Sequence, residues 1–232
     1  MIRCAVLGSP IEHSLSPTLH KRAYEILGIS GEYLRFEVDQ DSLSDFLQSH
    51  SYDDWRGFSL TMPLKEIATK HSTTGDVYSS QLEAINTLVA SNSGWIGYNT
   101  DVLGFNRLYK NLNFQNISII GGGGTAKAAI AASPSGVPIK VFRRNPQRDE
   151  ALLRLRADIE LQDWKNVEQA FESDLVINAA TVAAIASMNW LPEKASSIID
   201  CLYSPWPTRL SQIKVDDKVF SGRDLLVARH QV

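Results

Sequence analysis

A chain of 232 residues with 44% hydrophobic content can bury one large core or two modest ones, and length alone does not choose between them. A formal charge of -3 and a pI near 6.0 give no global attraction to nucleic acid or anionic lipid, so any anion site has to be local and a small soluble substrate is the expected partner. No apolar run approaches the roughly 18 residues of a membrane span, and the opening apolar run is too short for a signal peptide, so cytoplasmic residence is the default expectation.

Strand and helix signals alternate from the N-terminus. An apolar strand over residues 2–7 leads to a helix opening after Ser16-Pro17, and a second strand places Leu34, Phe36 and Val38 on one face. A short strand is expected before Gly57 and a helix near Pro63. The runs at 86–90 and 95–99, joined by Ser91-Asn92-Ser93-Gly94, read as a hairpin closing a parallel sheet. An amphipathic helix over 102–112, with Leu103, Phe105, Leu108 and Leu112 at near-helical spacing, links to a second unit that opens with Ile117-Ser118-Ile119-Ile120. Apolar runs at 139–142, 175–178 and 197–202, separated by helix-like stretches, extend a parallel, doubly wound sheet. Cys4 and Cys201 lie far apart inside apolar runs. The histidines (His13, His20, His50, His71, His230) have no HExxH or similarly close spacing, so no metal site is expected.

Gly121-Gly122-Gly123-Gly124-Thr125-Ala126 follows a strand and precedes an alanine-rich helix over 126–132, the context a dinucleotide turn requires. Glycines let the backbone approach a pyrophosphate, and a helix N-terminus offers N–H groups and partial positive charge. In the following strand, the position where an acidic residue would meet a ribose 2′-hydroxyl is basic. Arg143, Arg144 and Arg148, around Asn145, suit the additional phosphate of NADP. A flexible glycine loop and a solvated basic loop are the plain alternatives.

Polar clusters stand at three further strand ends. Ser14 and Ser16 suit a polyol or a carboxylate, and equally a turn and an N-cap. Thr61 and Lys65 share a rim. A lysine in a helix's first turn opposes the dipole, which is easier to understand if its ammonium faces a substrate or a carboxylate, although an ordinary surface lysine explains this segment as well. Asn86-Thr87 and Gly97-Tyr98-Asn99-Thr100-Asp101 converge where the first unit ends, and Asp101 suits a helix N-cap.

Together these segments resemble the shikimate dehydrogenase family, in order across nearly the whole chain. The motifs are Gly8-Ser9-Pro10-Ile11-Glu12-His13-Ser14-Leu15-Ser16-Pro17, Leu60-Thr61-Met62-Pro63-Leu64-Lys65, Ile85-Asn86-Thr87-Leu88, Gly97-Tyr98-Asn99-Thr100-Asp101, the glycine turn, and Asp200-Cys201-Leu202-Tyr203-Ser204-Pro205-Trp206-Pro207-Thr208. The resemblance implies an α/β chain with an N-terminal parallel-type substrate and catalytic domain over 1–103. A Rossmann-like, doubly wound NADP-binding domain follows over 104–232, its last helix packing back on the first domain. It implies Lys65 and Asp101 as the catalytic pair and Ser14, Ser16, Thr61, Asn86, Asp101 and Tyr203 as substrate contacts. Gly121, Gly123, Gly124, Thr125, Arg143, Arg144, Asn145, Arg148 and Gly222 would then hold the cofactor. The implied reaction is the reversible oxidation of shikimate to 3-dehydroshikimate by NADP+, a step of chorismate and aromatic amino-acid biosynthesis, in a monomer or homodimer. A quinate/shikimate dehydrogenase using NAD, or a weakly active paralogue that binds nucleotide or a polyol-acid, are the alternatives. The chain departs from the family pattern at Ser59, usually Asn, and over 178–183. It departs again at Asp224, usually Gly, and at Arg229, usually a substrate-binding Gln. An aspartate at 224 is expected to obstruct or repel the nicotinamide carboxamide, and an arginine at 229 to pair with the substrate carboxylate.

Overall fold

The computed structural model describes residues 1–205 and 207–229. Trp206 and His230, named above, lie outside them. The chain divides into two compact units, Met1–Thr100 and Asp101–Val232.

The first unit contains β1 (Ile2–Gly8), α1 (Ser16–Leu27), β2 (Gly31–Glu37), α2 (Leu43–Ser49), β3 (Gly57–Leu60), β4 (Thr73–Thr74), α3 (Val77–Leu82), β5 (Thr87–Ser91) and β6 (Gly94–Tyr98). Its strands form one sheet in the order β2-β1-β3-β5-β6-β4. β1 is paired in parallel on both sides, with β2 and β3, which is why Ala5-Val6-Leu7 is a continuous buried run without alternation. β5 runs antiparallel to β3, and β6 antiparallel to β5, so the sheet is mixed. Leu7, Val38, Leu43, Trp55, Phe58, Leu64, Leu88 and Trp95 belong to the cluster that fills its core.

Two local expectations fail here. The third strand begins at Gly57 instead of ending before it, because Gly57 pairs with Cys4 on one side and Val89 on the other and acts as a strand residue, not as turn punctuation. No α-helix starts at Pro63. Residues 62–66 form turns and a bend, followed by a 3-10 helix over Ile67–His71. The Lys65 carbonyl accepts from the Ile85 N–H at 2.8 Å, which takes it out of a helical ladder, so the dipole argument for Lys65 does not apply.

The second unit contains α4 (Asp101–Tyr109), β7 (Ile117–Ile120), α5 (Gly124–Ala132), β8 (Ile139–Arg143), α6 (Asp149–Leu155), β9 (Glu160–Asp163), β10 (Leu175–Asn178), α7 (Val182–Ala186), β11 (Lys194–Ala195), β12 (Ser197–Asp200), β13 (Lys214–Val215), β14 (Val219–Ser221) and α8 (Gly222–Ala228). Six strands make a sheet in the order β14-β12-β10-β7-β8-β9, all parallel. Counted from β7 this is the 3-2-1-4-5-6 order of a doubly wound dinucleotide fold, with its switch point between β7 and β10. Ile117-Ser118-Ile119-Ile120 and Leu175-Val176-Ile177-Asn178 are buried throughout, as central parallel strands covered on both faces must be. In α4 the buried face carries Val102, Phe105, Leu108 and Tyr109, while Leu103, assigned to that face from its spacing, is 43% exposed. None of the helices among the described residues is long and apolar enough to cross a membrane.

Candidate functional site

At one edge of the first sheet β1 and β3 end, β5 begins and β6 ends, as their pairing directions require. Backbone bonds lace these ends together: Ser9 N–H to Met62 O (3.0 Å), Thr61 N–H to Leu7 O (3.0 Å), Leu60 N–H to Asn86 O (2.7 Å) and Asn86 N–H to Tyr98 O (3.0 Å). Glu37, at the end of β2, accepts from the Ser9 hydroxyl at 2.7 Å and the Ile11 N–H at 3.1 Å, which fixes the loop leading to Ser14. The segments bearing Ser14, Ser16, Thr61, Lys65 and Asn86 therefore share one rim. Ser14 and Ser16 are both buried, and Ser14 Oγ accepts the Ser16 N–H at 3.4 Å, so a turn is present. Ser16 does not cap α1, because it is itself the first helical residue and the N-cap, Leu15, makes no side-chain bond. Thr61 and Lys65 are half-buried.

Asn86 is 1% exposed. Its Oδ1 accepts from Thr87 Oγ1 (3.0 Å), Thr100 N–H (3.1 Å) and Thr100 Oγ1 (3.2 Å). Three donors on one atom fix the amide plane and turn its NH2 to the opposite side. Sequence reasoning did not assign Thr100 this orienting role. Its only sequence signal was its place between Asn99 and Asp101. Ser59 accepts from the Tyr33 hydroxyl at 2.6 Å in a buried pair, so the small side chain at this departure is matched by a phenol from β2.

In the second unit the glycine turn lies at the switch point. Gly121 has φ +122°, and a Cβ there would lie 2.9 Å from the Ala179 carbonyl carbon and oxygen. Only glycine fits where the turn after β7 crosses the chain leaving β10. Gly123 precedes α5 without a side-chain cap, so the positive end of the helix dipole faces the glycine turn. Ala126, Ala128 and Ala129 are fully buried, and their small side chains let α5 lie close to the sheet.

The three arginines differ in what they hold. Arg143 donates through Nε and Nη2 to Asp149 at 2.8 and 2.7 Å and through Nη1 to the Gln162 carbonyl at 3.1 Å. That contact holds the Asp149 carboxyl below its usual range. Arg148 donates to the Gly122 carbonyl at 3.0 Å, bringing it onto the glycine turn. Arg144 is exposed, its guanidinium 5.5 Å from the centroid of the Trp164 ring. Asn145 accepts from Gln147 N–H at 3.0 Å and shapes the loop.

Asp101 is the first residue of α4, where a carboxylate suits the helix dipole. It is 1% exposed and accepts from Arg229 Nη1 at 3.2 Å. Arg229, expected to face a substrate carboxylate, is thus engaged with an internal one. Asp224, expected to reach the nicotinamide, instead closes a capping box at the start of α8, accepting from both Ser221 N–H and Ser221 Oγ at 2.7 Å. The Gly222 N–H bonds the Leu202 carbonyl at 3.1 Å, which sets the start of α8 beside half-buried Tyr203.

A buried network that sequence reasoning missed ties the strand ends nearby. Asp200 accepts from Asn178 Nδ2 (2.8 Å), Leu202 N–H (3.1 Å) and Thr208 Oγ1 (2.5 Å), and burial pushes its carboxyl up from the ordinary value. The signal was available, since Asn178 ends an otherwise apolar four-residue strand and Asp200 follows two isoleucines at the end of another.

A family model described as the shikimate dehydrogenase substrate binding domain matches residues 6–88. A shikimate dehydrogenase (NADP(+)) from Methanococcoides burtonii is 34% identical over 219 residues, covering 90% of this chain and 81% of the relative. Among solved structures, the shikimate 5-dehydrogenase of Thermus thermophilus in complex with NADP(H) and shikimate superposes with a TM-score of 0.80 at 28% identity, covering 99% of this chain and 90% of that one. The shikimate dehydrogenase of Mycobacterium tuberculosis gives the same TM-score, 0.80, and the same coverage at 26% identity. Identity of that degree extends over both units, beyond what a shared fold requires, and the chain belongs to the shikimate dehydrogenase family.

Proposed function

We propose that this chain catalyses the reversible oxidation of shikimate by NADP+ to 3-dehydroshikimate and NADPH. The observation that carries this reading is the laced rim of the first sheet, where hydroxyl, amide and ammonium side chains from three chain segments gather. The second unit supports it with a dinucleotide-type sheet and a glycine turn at its switch point.

The residues present fit the cofactor. The open turn at Gly121, Gly123, Gly124 and Thr125, with the N-terminus of α5 free of a side-chain cap, suits a pyrophosphate. Arg144 and Arg148 beside Asn145 suit the 2′-phosphate, while Arg143 shapes the loop from behind through Asp149. Gly222 borders the same strand ends. When bound, NADP+ supplies the hydride acceptor.

The chain's own groups handle the proton and the substrate. Lys65, as the neutral amine, takes the proton of the carbinol hydroxyl while the adjacent carbon gives up its hydrogen with both electrons. As the ammonium it returns that proton in the reverse direction. Asp101 accepts from a substrate hydroxyl and orients it. Ser14 and Ser16 donate to the substrate carboxylate, and Thr61 and the NH2 of Asn86 hold ring hydroxyls.

The test is absorbance of the reduced-nicotinamide band on mixing purified protein with shikimate and NADP+. Growth of the band, faster with NADP+ than NAD+ and faster with shikimate than quinate, is the expected result. A flat trace at saturating concentrations of both overturns the proposal.

A further inference from the structure

We infer that Arg229 is a positioning residue for the reaction, contacting the Asp101 carboxylate through Oδ1 and so limiting how it can turn toward substrate. The inference rests on the reading of Asp101 as a substrate-contacting carboxylate. Three features of the second unit carry it.

The first is close helix packing. Gly104 lies three residues after Asp101, on the same face of α4. A Cβ there would lie 3.3 Å from Arg229 Cβ, 3.4 Å from its backbone N and 2.9 Å from Leu225 Cδ1. The missing side chain lets the end of α8 lie against α4, and Arg107 of α4 donates to the Ala228 carbonyl beside it. From there the guanidinium reaches back to Asp101.

Burial is the second. The two side chains are 13% and 2% exposed, so the interaction is little screened by water.

The third feature is the form of the contact. Two other arginine–aspartate pairs in this unit engage both carboxylate oxygens: Arg143–Asp149 at 2.8 and 2.7 Å, and Arg156–Asp158 at 2.7 and 3.2 Å. Arg229 meets Oδ1 through Nη1 at 3.2 Å, and its Nε is buried with no hydrogen-bond partner among the described residues. A buried donor left unmatched is destabilising, so the pair is a poor device for stability alone. The contact steers the carboxylate through one oxygen without closing the bidentate lock of the other two pairs.

The experiment measures kcat and shikimate KM at saturating NADP+ for the unaltered chain, Arg229→Ala, Arg229→Lys, Asp101→Asn and the double variant Arg229→Ala/Asp101→Asn. Arg229→Ala is expected to lower kcat by about tenfold or more while shikimate KM moves less than about threefold, as misplacement of a reacting-site group does. Arg229→Lys, which keeps the charge and the fold, is expected to recover part of the loss. Because the two residues act as a unit, the double variant is expected to lose no more than Asp101→Asn alone. Losses that multiply in the double variant, or kcat unchanged in both Arg229 variants while Asp101→Asn is impaired, overturn the inference and leave the assigned reaction standing. An unaltered chain that does not turn over shikimate overturns the reaction, and this inference with it.

Discussion

Replacing Arg144 with alanine is expected to erase much of the preference for NADP+ over NAD+, whereas replacing its neighbour Arg143 is not. Each nitrogen of the Arg143 guanidinium is engaged within the protein, two with Asp149 and one with the Gln162 carbonyl, so the fork is held in place and its charge is already paired with a carboxylate. Arg144 is exposed and lies over the Trp164 ring at 5.5 Å, a cation–π contact that consumes none of its N–H donors. A hydrogen bond to a charged partner contributes about 1.5–3 kcal/mol. Its loss in Arg144→Ala corresponds to a rise of roughly 10–150-fold in KM for NADP+, with KM for NAD+, which lacks that phosphate, within about twofold. Arg143→Ala leaves the ratio of the two KM values nearly unchanged and lowers stability by about 1 kcal/mol through loss of a partly exposed ion pair. The assay is initial rate against NADP+ and NAD+ at saturating shikimate, with a urea unfolding curve for each variant. An equal rise in KM for both cofactors in Arg144→Ala, or a selectivity change in Arg143→Ala as large as that in Arg144→Ala, would refute the division of labour.

Lys65→Ala is expected to lower kcat at least about a hundredfold, the scale of general acid–base catalysis, with an unchanged circular dichroism spectrum. Turnover at the original rate would remove the lysine from the mechanism. Gly121→Ala combines φ +122° with a Cβ 2.9 Å from the Ala179 carbonyl; a loss of about 2–3 kcal/mol in urea unfolding is expected, and a loss below about 0.5 kcal/mol contradicts the close crossing. The Asp200 carboxyl is raised by burial from its ordinary 3.8, so the folded state holds that proton more tightly than the unfolded one. Its contribution to stability is therefore most favourable below the unfolded value and is lost as pH rises through the folded value. Asp200→Asn removes this slope, and its unfolding free energy relative to the unaltered chain is expected to improve from about pH 4 to pH 7. A relative stability that falls over that window reverses the sign and disproves the burial argument.

The second sheet was readable because central parallel strands are apolar on both faces. The runs beginning at Ile117, Ile139, Leu175 and Ser197 carry that signature with little interruption, and the glycine turn between the first of them and an alanine-rich helix located the switch point. Composition could not show which carbonyls are already taken. Pro63 after a strand, with leucine and lysine following, fits the start of a helix, yet the Ile85 N–H claims the Lys65 carbonyl and the chain turns instead. The same limit applied to side chains. Arg143, Arg144 and Arg148 are equivalent letters in a basic loop, and only Asp149, Gln162, Gly122 and Trp164 tell them apart. Leu103 shows the converse: helical spacing placed it on the apolar face, but the stripe that is buried follows Val102, Phe105 and Tyr109 instead.

The two departures from the family pattern at the end of the chain have opposite consequences, and the reason is what each meets in space. Asp224 brings a negative charge, but Ser221 offers it both a backbone N–H and a hydroxyl at 2.7 Å, and the N-terminus of α8 favours a carboxylate in that position. Its charge is absorbed where the helix begins, so it orders the start of α8. Arg229, at the other end of the same helix, meets a buried carboxylate with only part of its fork. One substitution thus fixes the start of α8 and the other directs a guanidinium at Asp101. Judged position by position they count as two losses, whereas joined by one short helix they form an anchor and the group it delivers.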